Sequence, residues 1–180
     1  MRYDEIRKIE ELSEYVSDKY DVKVPITNIE ELVEKLGGKI VYDSLQFDFS
    51  CIEKSDDNSF LIKINTNDDY FIKYYENGNY IKKIIADELG YLFLYMGYKT
   101  NNELWNSILI KKEYHIHLLE LDNISIFRDS LFMPRNDFVK IIEKYKTKNN
   151  TIDPQKVADY FNISYGDVIN RGRVLGFFYI

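Results

Sequence analysis

Residues 85–95 read Ile85-Ala86-Asp87-Glu88-Leu89-Gly90-Tyr91-Leu92-Phe93-Leu94-Tyr95. Around this stretch Ile81, Ile84, Ile85, Leu89, Leu92, Phe93 and Met96 recur at three- and four-residue steps. That spacing predicts a helix from near Asn79 to near Gly97 with one face turned to a core. Asp87 and Glu88 interrupt the apolar run, and carboxylates drawn into a core need partners. The plain expectation for Asp87, Glu88 and Tyr91 is therefore a hydrogen-bonded polar cluster on the inner face of the helix.

The sequence upstream predicts two helices and then strands. Ile6, Ile9, Leu12, Tyr15 and Val16 mark an amphipathic first helix, which breaks at Asp21 to Pro25. Thr27-Asn28-Ile29-Glu30 reads as a capping box, with Thr27 facing the first turn and Glu30 reaching back. The helix it starts carries Ile29, Leu32, Val33 and Leu36 and stops at Gly37-Gly38. Lys39 to Tyr42, Phe47 to Ile52 and Phe60 to Ile64 are short β-rich runs, the last two separated by the polar turn Ser55 to Ser59. They predict a small, mostly antiparallel sheet.

Downstream, helices are expected over Glu103 to Leu109, Leu118 to Phe132 and Arg135 to Tyr145, with Lys146 to Asn150 as a polar connector. Asp153-Pro154 opens a further helix through Tyr160, Asn162-Ile163-Ser164 turns, and Tyr165 to Val174 closes the pattern. The order predicts an α+β fold with a helical C-terminal part. The expected division is a domain over 1–148 and a helical subdomain over 149–180.

Three motifs in this order resemble the ImmA/IrrE metallopeptidase family, over a span from about Ile26 to the C-terminus. The active-site helix of that family reads roughly I-A-H-E-L-G-H, and residues 85–91 are similar to it. A downstream signature, approximately E-A-N-x-F-A-x-x-L-L-M-P, is matched by Asn123-Ile124-Ser125-Ile126-Phe127-Arg128-Asp129-Ser130-Leu131-Phe132-Met133-Pro134. Lys156 to Ser164, followed by Arg171 to Gly176, is similar to the closing segment of the family. The resemblance implies a zincin-like metallopeptidase fold with helix-turn-helix-like packing at its C-terminus. It also implies a relation to proteins that cleave helix-turn-helix repressors, often in phages and mobile elements.

The chemistry departs from the pattern. HExxH places two imidazoles at i and i+4 on one helical face, where both reach Zn²⁺, and its Glu takes a proton from the metal-bound water. Here Asp87 and Tyr91 stand where the resemblance puts the imidazoles, Glu88 stands where it puts the base, and the downstream ligand position falls on Asn123. Losing two imidazoles and a carboxylate removes most of the affinity for zinc. The expectation is a catalytically inactive pseudopeptidase, without a cofactor, that binds or regulates a protein such as a helix-turn-helix repressor. The alternative is a zinc peptidase with a rearranged site built from Asp87, His117 and Glu120, which would cleave such a repressor.

The remaining signals carry less. His115-Ile116-His117 holds the only two histidines, and an H-x-H pair on a strand shares one face. Cys51, the sole cysteine, excludes an internal disulfide and reads as a small core residue rather than a nucleophile. A net charge of -6 argues against general nucleic-acid binding, although Gln155 to Val174 has helix-turn-helix spacing with Arg171 and Arg173 late in its second helix. Tyr70-Phe71, Tyr74-Tyr75 and Phe177 to Ile180 read as core or as a partner surface, and Asn77-Gly78 as a turn. No apolar signal core or membrane span is legible, so a cytoplasmic protein without membrane contact is expected.

Overall fold

The computed structural model describes residues 2–43, 49–66, 78–147 and 151–178. Tyr70-Phe71, Tyr74-Tyr75, Asn77, Tyr179, Ile180, the start of the run expected from Phe47, and positions 148–150 of the connector lie outside the described residues. The elements in order are α1 (Tyr3–Lys19), α2 (Ile29–Leu36), β1 (Gly38–Asp43), β2 (Ser50–Lys54), β3 (Phe60–Asn65), α3 (Gly78–Leu94), α4 (Asn102–Ser107) and β4 (Glu113–Tyr114). A 3₁₀ turn (Leu118–Glu120) follows, then α5 (Leu121–Phe132), α6 (Arg135–Lys144), α7 (Pro154–Phe161) and α8 (Tyr165–Val174). The fold class is α+β. No described helix is long and apolar enough to cross a membrane.

The chain divides into two compact units, Met1–Thr27 with Ile126–Ile180, and Asn28–Ser125. These boundaries, at 27/28 and 125/126, differ from the 148/149 division expected from the sequence. The second lies inside α5, where no local signal marks it.

In the unit Asn28–Ser125, the strand order is β1-β3-β2-β4. β2 pairs antiparallel with β3 and β4, as expected for a mostly antiparallel sheet, whereas β1 pairs parallel with β3, which makes the sheet mixed. Gly38 stands opposite Phe60 in the parallel pair, and a Cβ there would lie 2.4 Å from the Phe60 ring. Bare backbone at that position is what admits the ring. Phe60, Ile62 and Ile64 alternate inward along β3 and meet Ile52 of β2 in the core. Every apolar position of the predicted stripe, from Ile81 on α3 to Met96 just past its end, is buried.

Two local details differ from expectation. Asn28, not Thr27, caps α2: its Oδ1 accepts from the backbone N–H of Glu30 and Glu31 at 3.1 and 3.3 Å. The short amide side chain reaches two of the orphan donors of the first turn. Leu118 to Phe132 is not one helix but the 3₁₀ turn followed by α5. Gly37 ends α2 at φ 92°, as expected for a left-handed cap.

In the other unit, Phe138, Ile141, Ile142, Val157, Ala158, Phe161 and Val168 are buried. Asp153 and Ser164 cap α7 and α8, accepting from the N–H groups of Lys156 and Asp167. Glu10 of α1 is fully buried among three arginines, Arg7, Arg135 and Arg171. Its Oε2 accepts from Arg135 Nη2 at 2.8 Å and its Oε1 from Arg171 Nη1, while Arg171 Nε donates to the Met133 carbonyl at 3.1 Å.

Candidate functional site

Asp87 and Tyr91 on α3, and Tyr95 just past its end, follow one another at four-residue steps and so share a face. The Tyr95 N–H still donates to the Tyr91 carbonyl at 2.9 Å, which carries the helical spacing that far. Glu88 is turned inward and is 0% exposed, and Ser50 Oγ of β2 donates to its Oε1 at 2.6 Å. Tyr91 is 7% exposed and its ring stacks on Tyr95, with centroids 5.5 Å apart. The Tyr95 hydroxyl in turn accepts from Asn123 Nδ2 at 2.8 Å. Asp87 is half-buried on the same helix.

The residues at 91, 95 and 123 are therefore joined by one ring stack and one hydrogen bond, and Glu88 is tied to the sheet. Burial pushes the Tyr91 phenol up to about 12, helped by the charges of Glu120 and Glu88 and by Tyr114. Tyr91 is a neutral phenol at ordinary pH. Asn123 commits an amide N–H to Tyr95, and of the positions 87, 91 and 123 only Asp87 is a carboxylate. This donor set does not fit Zn²⁺, which takes thiolate, imidazole or carboxylate ligands.

His117 and Glu120, weighed with Asp87 as a rearranged site, meet in a local contact. The His117 backbone N–H donates to Glu120 Oε2 at 2.8 Å, and His117 precedes the 3₁₀ turn as its cap. β4 ends at Tyr114, so the strand that would set His115 and His117 on one face does not extend to them. His115 instead meets other ligating groups. Ligand atoms of Cys51, Glu113 and His115 all lie within 4.8 Å of one another, the one such group among the described residues. Burial pushes the Cys51 thiol up to about 12, with the Glu113 and Glu88 carboxylates adding to it. Cys51 is thus a protonated core thiol rather than a nucleophile.

Sequence reasoning missed Ser50, Tyr95 and the Cys51–Glu113–His115 group. The i, i+2 spacing of Glu113 and His115 is a legible signal, but the register that sets Cys51 beside them is not. Arg171, weighed as a DNA contact, is 1% exposed and committed to Glu10, while Arg173 is exposed. In comparisons with known proteins, no family model and no curated protein matches this chain.

Proposed function

We propose that this chain is a catalytically inactive relative of the ImmA/IrrE metallopeptidases, zincin-like in fold, that binds a helix-turn-helix repressor without cleaving it. The observation that supports this reading most strongly lies beside α3. The positions that the resemblance assigns to metal ligation, 91 and 123, are linked through Tyr95 by a ring stack and an amide hydrogen bond. Neutral groups engaged with one another occupy the place where a zinc centre needs anionic or imidazole donors.

Glu88 then has a different task from the one its position suggests. With no metal-bound water to deprotonate, its carboxylate holds Ser50, and so β2, against α3. No hydrolytic step follows from this arrangement. On this reading the surface around α3 serves to bind the partner, and regulation by sequestration requires nothing more of it.

The test uses the full chain immobilised against a lysate of its native host. The expected result is a helix-turn-helix repressor, identified by mass spectrometry, that stays intact when Zn²⁺ is added. An Asp87→His, Tyr91→His variant should capture the same protein. Cleavage of the captured repressor, or retention of no repressor at all, overturns the proposal.

A further inference from the structure

The register of β2 separates its side chains onto two faces. Ser50 bonds Glu88 of α3, and Ile52, two residues on, stands opposite Tyr114 on that same face. Cys51 points the other way. Ile52 pairs with Tyr114 and Glu53 with Glu113, which brings the segment just past β4 alongside Cys51, and the ligand atoms of Cys51, Glu113 and His115 lie within 4.8 Å of one another. Glu113 and His115, two residues apart, both bring a ligand atom to Cys51. Three ligating side chains from two neighbouring segments thus converge on the side of the sheet away from Glu88.

We propose that Cys51, Glu113 and His115 form a Zn²⁺ site that pins the short β4 onto β2 and leaves a fourth position to water. Thiolate, imidazole and carboxylate are the three ligand types that Zn²⁺ takes from proteins. Ligand atoms around a tetrahedral zinc stand roughly 3.3–3.8 Å apart by its bond lengths. The group here already lies within 4.8 Å, close to that spacing.

Lys63 is the competing cation, with Nζ 2.7 Å from Glu113 and 2.8 Å from Glu53. Metal binding balances without it. The Cys51 thiol releases its proton to solvent as the S–Zn bond forms, and Glu113 turns from Lys63 to the metal. Zn²⁺ with one thiolate and one carboxylate is neutral, and Lys63 keeps Glu53 as its counterion. The β2–β4 ladder pairs only Ile52 with Tyr114 and Glu53 with Glu113, so a bound metal adds a further tie between these short strands.

The test is titration of the full chain, purified without chelators, with Co²⁺ alone and then Zn²⁺. The expected result is a thiolate-to-cobalt charge-transfer band displaced by one equivalent of Zn²⁺. Glu113→Gln changes a side chain that is 43% exposed, so the fold survives it. It should weaken zinc binding by about 100-fold or more, beyond the usual loss for an outer-shell partner. Cys51→Ser should abolish the band, and Asp87→Ala should leave it unchanged. Absence of the band at saturating Co²⁺, its survival in Cys51→Ser, or wild-type zinc affinity in Glu113→Gln overturns the proposal. Loss of zinc in Asp87→Ala with retention in Cys51→Ser would instead place the metal at α3 and contradict the proposed function.

Discussion

Replacing Glu10 with Gln isolates the buried ion cluster of the first unit. The substitution keeps the shape of the side chain and removes its charge. Arg171, 1% exposed, loses its anionic acceptor and retains the Met133 carbonyl on Nε. Arg135 and Arg7 are 26% and 35% exposed, so solvent screens their share, which is worth about 0.2–1 kcal/mol each. Breaking one partner from a buried pair costs about 3–5 kcal/mol, and Arg171 dominates that figure here. Burial opposes ionisation of Glu10, but Arg171 and Arg135 outweigh it and hold the carboxyl below its ordinary 4.5. A carboxyl with a depressed folded value contributes stability above pH 4.5 that is lost as pH falls through the folded value. Urea unfolding at pH 7 should therefore show a loss of about 3–5 kcal/mol, and the acid limb of stability should flatten in Glu10→Gln. A loss below about 1 kcal/mol, or an unchanged acid limb, would refute the reasoning.

Tyr91→Phe keeps the stack on Tyr95 and removes a phenol whose folded value is raised from 10.0 to about 12. Stability held by that phenol is present below pH 10 and lost as pH rises toward 12, so alkaline unfolding curves should show a smaller loss in Tyr91→Phe over that window. Gly37→Ala meets φ 92° and the Asn58 carbonyl at 2.9 Å from the new Cβ. Thermal or urea unfolding should show a destabilisation of about 1–3 kcal/mol.

The periodic elements were legible because their signals are local. The apolar stripe of α3 and the bounds of α8 at Tyr165 and Val174 follow from side chains that bury together within a few turns. The Gly37 terminator is equally local. What was not legible depends on distant partners. β1 passes over its sequence neighbour β2 to pair with β3, where the ring of Phe60 fits over Gly38. Glu10 and Arg171 are 161 residues apart, and no spacing rule connects them. At the candidate site, Asp87, Glu88, Tyr91 and Asn123 could be singled out by resemblance, but Tyr95, which joins two of them, could not. The Thr27 cap failed for a smaller reason, since the neighbouring Asn28 offers the better-placed acceptor.

On the proposed reading, positions 87, 91 and 123 keep the arrangement of a metal site while lacking its donors. Zinc binding by the variant Asp87→His, Tyr91→His, Asn123→Glu tests this directly, in a Cys51→Ser background that removes the other candidate site. The expected result is no stoichiometric zinc in Cys51→Ser alone and one tightly held Zn²⁺ once the three donors are restored. Failure of the restored variant, still folded, to hold zinc would contradict it.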